Sequence, residues 1–383
     1  MVPGHLQIKG NYYYTVLNYV DEDGNRRTKW QTTGLLSKNN KKRAEAILME
    51  RRIEFLPPEP KAPLEETTFA DFMLEWLEHV RHTIETVTYA SYSLNVKEII
   101  VPFFRKRNIL LRELTAHDIQ KFYNERLKTV KASSVKRYHA NIHKALKYAV
   151  KMEMIPYNPA DRVDLPKQER FIGSFYDTDE AQKLLEVVKG TKLELAVTLA
   201  LFYGLRRSEI VGLRWDAIDF KSDTITIKHT VTTCHLDGKT TLIASDRGKS
   251  KASLRTLPLM PKFKEILLAM KEEQAKYRKM CGRSYNVEFL DYIYVDEMGT
   301  RISPGYITGT FPKLLEKHGL RHIRFHDLRH TAASLLLASG VPMKQIQEWL
   351  GHSDFSTTAN IYAHLDYSSK LQSAKAMEKS LKF

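Results

Sequence analysis

The chain has 383 residues, and its 60 Lys and Arg against 45 Asp and Glu give a formal net charge of +15 at pH 7. Apolar residues make up 43% of it and charged residues 27%, which excludes a disordered polymer and predicts two or three globular domains. The positive charge favours a polyanionic partner, with nucleic acid ahead of a membrane surface. Two cysteines cannot form a disulfide framework for a chain of this size.

Other classes of protein are excluded by missing patterns. The longest nearly pure apolar run, residues 196–205, is about half of what a bilayer span needs. The first residues are polar and lack the apolar core of a secretory signal. The sequence contains no Cys-x-x-Cys, no His-Glu-x-x-His, no phosphate-binding Gly-x-x-x-x-Gly-Lys-Ser/Thr loop and no Gly-x-Ser-x-Gly elbow. We therefore expect a protein of a soluble, reducing compartment that uses neither a metal nor a nucleotide cofactor.

The first predicted domain, residues 1–56, combines a small antiparallel sheet with one helix. Strands are predicted over 5–9, 12–19 and 27–33, because turn dipeptides at residues 10–11 and 23–24 separate these β-rich stretches. Apolar residues at helical spacing predict a helix over 38–54. Four prolines between residues 56 and 63 favour an extended, stiff linker, which we place at 57–65.

The second predicted domain, residues 66–165, is all helical. Apolar periodicity predicts helices after Thr68 and over 88–106, 116–129 and 132–152. In the last of these, two serines are candidate N-caps and four apolar residues form a buried stripe. The N-cap candidates are Ser133 and Ser134, and the stripe is Tyr138, Ile142, Leu146 and Ala149.

Basic residues are concentrated between residues 121 and 151, where the one acidic residue is Glu125. Two interpretations remain open: an ordinary solvated helix face, or a helix that follows the phosphates of DNA. On the second interpretation, the candidate DNA contacts are Lys131, Lys136, Arg137, Lys144 and Lys147.

A second linker is placed at residues 166–175, and a third domain at residues 176–383. Helices are predicted over 178–189, 192–203, 261–280 and 304–318, with a strand-rich stretch at 223–259 and a helix-dense C-terminal part. This pattern predicts a mixed α+β, mainly helical domain.

Four segments of this third domain carry candidate chemistry. In residues 203–209, Gly204 ends one helix and Ser208 is a candidate cap of the next, which would hold Arg206 on a rigid turn. The alternative is an ordinary corner between helices with a surface arginine. Residues 246–259 predict a hairpin with a basic turn, whose Lys249 could reach a phosphate or could simply be a solubilising charge.

The other two segments lie further along the chain. His326 and Arg329 are spaced to lie side by side on one helix face, as a pair that binds phosphate oxygens would. His352 follows a glycine at a helix end, and Tyr362 lies within the next helix, where a tyrosine is usually a packing residue. Two arginines, a lysine, two histidines and a tyrosine together could bind and attack a phosphodiester without a metal.

In this order and spacing the segments resemble the tyrosine recombinase, or site-specific integrase, family. The matching segments are Gly204 to Glu209, Lys249 ahead of residues 255–259, His326 to Arg329, Leu350 to His352, and Tyr362 followed by His364. The helical second domain is similar to the family's core-binding domain. The N-terminal sheet and helix resemble the arm-binding domain of phage and conjugative-transposon integrases.

The resemblance implies transesterification of a DNA phosphodiester without metal or ATP. Tyr362 would attack the phosphorus and form a 3′-phosphotyrosyl link. Arg206 and Arg329 would clamp the non-bridging oxygens, and Lys249 would be the general acid for the departing 5′ oxygen.

Supporting roles follow from the same resemblance. His326 would be a base or hydrogen-bond donor, His352 a phosphate ligand, and Glu209 a residue that orients its neighbours. Arg207, beside Arg206, and Lys251, two residues from Lys249, are further candidate DNA contacts.

The implied partner is double-stranded DNA, at core-type and arm-type attachment sites of a mobile element, cut by a homo-tetramer assembled on DNA. Accessory proteins for excision or DNA bending are further implied partners, and the bacterial cytoplasm or nucleoid is the implied location. Residues 367–381 would dock on a neighbouring protomer or pack on their own chain. The alternative functions are a type IB topoisomerase-like enzyme, which nicks and reseals one duplex, and a catalytically silent DNA-binding regulator.

Overall fold

The computed structural model describes residues 1–21, 25–57, 67–167, 174–246, 254–351, 377–378 and 381. Several predicted features lie outside the described residues. They are the turn at 23–24, most of both linkers, the segment 367–376, and the candidate residues Lys249, Lys251, His352 and Tyr362.

The chain forms two compact units. The first is composed of residues 1–76, 100–130 and 137–164, and the second takes its described residues from 77–99, 131–136 and 165–383. The division into three domains with the boundaries given above stays a prediction.

The N-terminal sheet and helix are confirmed. Strands β1 (Gly4–Lys9), β2 (Tyr12–Val20) and β3 (Arg26–Leu36) pair antiparallel in that order, and helix α1 (Lys41–Glu54) packs on one face. Tyr13, Thr15 and Leu17 of β2 are buried on one face of the sheet and Val16 on the other, since successive side chains of a strand point to opposite faces. From α1, Nη1 of Arg51 donates to Oγ1 of Thr15 at 3.0 Å, which ties the helix to the middle strand.

The stretch predicted to be all helical is helical in the structure. Its elements are α2 (Phe69–Val80), α3 (Thr86–Ser93), a π-helical stretch (Leu94–Ile100), α4 (Val101–Arg105), a 3₁₀ turn (Leu111–Glu113), α5 (Ala116–Leu127), α6 (Ala132–Lys151) and a second 3₁₀ turn (Pro159–Arg162). The predicted stripe of α6 is buried, with Ile142, Leu146 and Ala149 fully enclosed. Ser133 and Ser134 do not cap α6, because the helix already begins at Ala132 and both serines lie in its first turn.

The second unit is mainly helical. Its helices are α7 (Thr178–Val188), α8 (Glu194–Phe202), α9 (Arg207–Val211), α10 (Pro261–Cys281), α11 (Pro304–Lys317), α12 (Asp327–Ala338) and α13 (Met343–Leu350). Helix α8 is buried on most of its surface, as expected for a helix that is apolar all round. It lies in the centre of the core and presents its C-terminal end to the site described below.

The strands of this unit form two separate sheets. Strands β4 (Ile218–Asp219), β5 (Thr224–Ile227) and β8 (Arg255–Pro258) make one, while β6 (His229–Leu236) and β7 (Lys239–Asp246) make a two-stranded ribbon. The hairpin predicted over residues 246–259 is therefore wrong, since β7 and β8 pair with different partners. Strand β7 pairs with the preceding strand β6 through a two-residue turn at Asp237 and Gly238, both of which have positive φ. Asp-Gly is a preferred sequence for such a hairpin turn.

In the described part of the chain, no helix combines the length and the apolar character that crossing a membrane requires.

Candidate active site

The turn between α8 and α9 positions the first candidate arginine. Helix α8 ends at Phe202, the chain reverses at Gly204 with φ of +62°, and Arg206 is the N-cap of α9. The expected cap Ser208 is wrong, because it lies inside α9. Instead the side chain of Glu209 reaches back, and its Oε2 accepts from the Arg206 backbone N–H at 2.9 Å. A carboxylate three residues into a helix satisfies this otherwise unpaired donor.

The guanidinium groups of Arg206 and Arg329 meet at the end of α13. Nη2 of Arg206 donates to the Gly351 carbonyl at 3.2 Å, and Nη2 of Arg329 donates to the Leu350 carbonyl at 2.7 Å. Arg329 is 2% exposed and also donates to the Gly204 carbonyl at 2.6 Å. The side chain of Arg206 is 29% exposed. The structure thus brings together two predicted residues from distant parts of the chain, one of them open to solvent.

Glu209 is the predicted supporting residue, and it is completely buried. Burial by itself raises the pKa of this carboxyl, but the charges and hydrogen bonds of Arg255 and then Arg206 more than offset it and lower the pKa to about 2. Glu209 is therefore ionised at neutral pH. Buried charges of this kind persist only when they are paired and hydrogen-bonded.

Sequence reasoning missed Arg255 as a functional residue. It lies at the start of β8 and is 8% exposed. Its Nη2 donates to Oε2 of Glu209 at 3.0 Å and its Nε donates to the Trp349 carbonyl at 3.1 Å. Alternation with the buried Leu257 was a signal that could have found it, because an arginine on the buried face of a strand requires an acidic partner.

His326 lies directly before α12, as its N-cap, rather than within the helix. Its ring contacts that of His330 edge to face, with centroids 5.4 Å apart. Although the residue as a whole is exposed, desolvation of its ring, and then the charges of His330, Arg329 and Arg206, lower the pKa of His326 to about 4. The imidazole is therefore neutral at pH 7, and it is close enough to both arginines for their charges to act on it.

The candidate DNA contacts are placed in two different settings. Arg207 donates from Nη1 to Oγ1 of Thr308 on α11, so its guanidinium is held by a neighbouring helix. On α6 and directly before it, Lys131, Arg137, Lys144 and Lys147 are exposed, whereas Lys136 is partly buried.

The remaining candidates lie outside the described residues, but the described chain directly before Lys249 and before His352 is well anchored. Strand β7 ends at Asp246, whose Oδ1 lies 2.5 Å from Nδ1 of the buried His229. Nε2 of the same ring lies 3.0 Å from the hydroxyl of Tyr292. Lys249 follows three residues after this anchor in the sequence, and His352 follows directly after Gly351.

Within the described ranges, no group of three or more His, Cys, Asp and Glu residues is placed to hold a metal ion. The charged groups that do converge are Arg206, Glu209, Arg255 and Arg329, with His326 beside them. This is a cationic site suited to a phosphate.

The fold is that of DNA integrases. The solved structure of the Tn1549 transposon integrase in complex with a circular intermediate DNA matches with a TM-score of 0.67 and 17% identity, over 81% of this chain and 99% of that one. A lambda integrase tetramer bound to a Holliday junction matches with a TM-score of 0.55 and 19% identity, over 93% of this chain and 94% of that one.

Sequence comparison gives the family. Residues 174–369 match the Phage integrase family, and residues 68–127 match the phage integrase N-terminal SAM-like domain. A tyrosine recombinase XerC-like protein of Caldanaerobacter subterraneus subsp. tengcongensis is 30% identical over 328 residues, covering 79% of this chain and 80% of that protein. The chain belongs to the phage integrase family. It is a tyrosine recombinase, an enzyme that cuts and rejoins DNA at specific sites, and neither the topoisomerase-like nor the silent-regulator alternative is favoured.

The close approach of the α8–α9 turn to α13 predicts a difference between two glycine substitutions. Gly204 and Gly190 both have positive φ, +62° and +70°, so alanine at either costs about 1–2 kcal/mol in backbone strain. A Cβ at Gly204 would lie 2.2 Å from Cδ2 of Leu350, whereas one at Gly190 would meet nothing within 4 Å. We expect Gly204→Ala to lower the free energy of unfolding by about 1–3 kcal/mol more than Gly190→Ala. Equal losses in urea unfolding of the two variants would contradict this packing.

The cationic surroundings of His326 predict its titration. We expect its imidazole to titrate near pH 4 in the DNA-free protein, against an ordinary value of 6.5. Because the folded-state pKa is the lower one, His326 contributes stability above about pH 6.5 that is lost as the pH falls through 4. NMR titration of the histidine ring signals, with His326→Gln for assignment, measures the midpoint. A midpoint near 6.5 would show that the positive charges do not act on this ring.

Proposed function

We propose that this recombinase integrates and excises a mobile DNA element, and that Tyr362 forms the covalent 3′-phosphotyrosyl link. The observation that carries the proposal is the meeting of Arg206 and Arg329 on adjacent carbonyls, Gly351 and Leu350. The site they form lies where the chain leads into His352 and, ten residues later, Tyr362.

In the proposed reaction the phenol oxygen of Tyr362 attacks the scissile phosphorus. The bond from phosphorus to the 5′ oxygen breaks, and Lys249 gives that oxygen a proton. The 5′-hydroxyl later attacks the phosphotyrosine of the partner strand and releases the enzyme. Each step exchanges one phosphodiester for another, so the bond energy is kept and no ATP is needed.

Charge is what the site supplies. A phenol with a pKa of ~10 is a weak nucleophile at neutral pH, and cationic surroundings favour its phenolate. Arg206 binds a non-bridging oxygen from its solvent-exposed side, while the buried charge of Arg329 stabilises the pentacoordinate state. By analogy with other phosphoryl transfers, one such arginine contributes about 10³–10⁵ in rate.

The two histidines act beside the arginines. His326 is neutral at pH 7 because its pKa is lowered to about 4, so it can accept the phenolic proton or donate a hydrogen bond to phosphate. The negative charge of bound phosphate raises this pKa again, since an opposite charge favours the imidazolium. His352 binds a phosphate oxygen. Glu209 orients Arg206 through the 2.8 Å bond to its Nη1.

DNA affinity comes from basic residues outside the reacting centre. The exposed groups of α6, with Lys131, Lys136, Arg207 and Lys251 as further candidates, bind backbone phosphates. They displace counterions from the duplex, so binding weakens steeply as salt rises.

The N-terminal sheet binds the arm-type site. The face of the sheet opposite α1 carries Tyr12, Tyr14 and Trp30 together with Lys9 and Arg26, and all but Tyr14 are exposed. Basic and aromatic groups on an open sheet suit DNA, because a β-ribbon fits the major groove and its cations bind the flanking phosphates.

The assembled form is a homo-tetramer on two DNA sites, with accessory proteins for excision or DNA bending. Cutting two duplexes in one crossover requires four active subunits. The lambda integrase in the solved structure is a tetramer on a Holliday junction, which supports the same assembly here. The C-terminal segment 367–381 is the candidate for docking on a neighbouring subunit, with packing on its own chain as the alternative, and the enzyme acts in the bacterial cytoplasm or nucleoid.

Removal of the nucleophile tests the chemistry. Tyr362→Phe is expected to abolish detergent-resistant DNA–protein adducts while DNA affinity stays nearly unchanged, because only the attacking oxygen is lost. The DNA is taken from the flanks of this protein's own coding region, and adducts are mapped by electrophoresis. Tyr277→Phe, which alters a partly exposed tyrosine of α10, is the matched control and should form adducts normally.

Two outcomes would reject this chemistry. A normal adduct yield from Tyr362→Phe would mean that another residue is the nucleophile. Loss of cleavage in excess chelator would point to metal-dependent hydrolysis instead. Strand exchange between two cognate sites separates recombination from nicking and resealing of one duplex.

A selection from random DNA tests the arm-type site without knowledge of the element. The full chain is expected to enrich two unrelated motifs, one for each DNA-binding region. Trp30→Ala should lose one motif and keep the other, because Trp30 lies on the open face of the sheet. Met49→Ala, which alters an exposed residue of α1, should keep both. Two motifs with Trp30→Ala, or one motif with the unaltered chain, would contradict the assignment.

A further inference from the structure

Three consecutive carbonyls at the end of α13 each accept a hydrogen bond from a different arginine. Nε of Arg255 donates to Trp349 at 3.1 Å, Nη2 of Arg329 to Leu350 at 2.7 Å, and Nη2 of Arg206 to Gly351 at 3.2 Å. The last carbonyls of a helix lack partners within the helix and carry its negative dipole end. Cationic donors therefore suit this position.

Arg255 differs from the other two because it also binds the buried carboxylate. Its Nη2 and Nη1 lie 3.0 and 3.4 Å from Oε2 and Oε1 of Glu209, while Nη1 of Arg206 binds the same Oε1 at 2.8 Å. The Glu209 carboxylate thus lies between an arginine that is 7% exposed and one that is 29% exposed. It transmits the position of the inner guanidinium to the outer one.

The fit around Gly351 is tight. This residue has φ of +69°, and a Cβ added to it would lie 2.9 Å from Nη1 and 3.1 Å from Cδ of Arg255. The guanidinium of Arg255 thus packs directly against the backbone from which the chain continues to residue 352. Both of its contacts, with Glu209 and with α13, use different nitrogen atoms of one rigid planar group.

We propose that Arg255 is a positioning residue for DNA cleavage, which holds Glu209 and the end of α13 in one geometry and so fixes the guanidinium of Arg206. Arg255 needs no contact with DNA for this role. The inference rests on the proposed role of Arg206 at the scissile phosphate.

The test compares cleavage with binding. Arg255→Met removes the charge and every hydrogen bond of the group. We expect its single-turnover cleavage rate to fall by about 10²-fold, the typical effect of misplacing a reacting group by about 1 Å. The DNA dissociation constant should change by less than about threefold, because surface cations dominate affinity.

A matched control is provided by Arg321. Its guanidinium binds both carboxylate oxygens of Glu180 at 2.8 and 2.6 Å and the Phe175 carbonyl at 2.7 Å, the same combination of contacts that Arg255 makes. Arg321→Met loses the same kinds of contact from a side chain that is 44% exposed rather than 7%, so it should be less destabilised than Arg255→Met and should cleave at the rate of the unaltered enzyme. An equal loss of cleavage in both variants would show that stability alone is responsible, and would overturn the proposal.

The pH profile gives a readout that a purely structural role would not move. Within the described ranges, the charged groups that face Glu209 include Arg206 from its own turn and Arg255 from β8. Without Arg255, the effect of burial is less strongly opposed, so the pKa of Glu209 rises and its carboxylate protonates at higher pH. As the pH is lowered, the cleavage rate of Arg255→Met should therefore begin to decrease at a higher pH than the cleavage rate of the unaltered enzyme. This shift should be absent in Glu209→Gln, Arg255→Met.

Arg255→Lys keeps the test decisive if the methionine variant does not fold. Lysine can pair with Glu209, but its single nitrogen cannot reproduce the planar contacts to both partners. We expect a folded protein with cleavage between that of Arg255→Met and the unaltered enzyme. Unaltered cleavage by Arg255→Lys and by any folded Arg255→Met would overturn the inference, whereas absence of cleavage in the unaltered enzyme would count against the proposed function itself.

Discussion

The catalytic unit depends on one buried carboxylate, Glu209, and on the cations that keep it ionised. An unpaired carboxylate with no exposure would be protonated or would unfold its surroundings. Here Arg206 and Arg255 satisfy it, and the same two residues bind the end of α13. The Glu209 carboxylate and its two arginines therefore connect α9, β8 and α13, which are far apart in the sequence.

Local patterns predicted the elements of the fold well. The apolar spacing of α6, the all-apolar α8 and the turn at residues 10–11 of the N-terminal sheet each involve close neighbours in the sequence, so the sequence alone indicates them. The caps at Ser133 and Ser208 were wrong, because a serine at a helix start indicates the boundary only to within a turn. At α9 the capping group is the carboxylate of Glu209.

What the sequence could not predict was which distant elements pair. Strand β8 pairs with β5 rather than with β7, and this pairing places the buried Ile225 and Leu257 side by side in the core. The bond between Arg255 and Glu209 joins residues 46 positions apart, and no periodicity records it. The candidate residues Arg206, His326 and Arg329 were found from their motifs, whereas the pairing of the buried Arg255 with Glu209 was visible only in three dimensions.

The division between the ribbon and the three-stranded sheet has a consequence for Lys249. The segment that carries it leaves from β7, fixed through Asp246 and His229, and enters β8, fixed through Arg255. Its two ends are thus attached to separate sheets. Lys249, the proposed proton donor, therefore lies in the sequence between anchors on two separate sheets, and a shift of the ribbon need not disturb the contacts of Arg255 with Glu209 and α13.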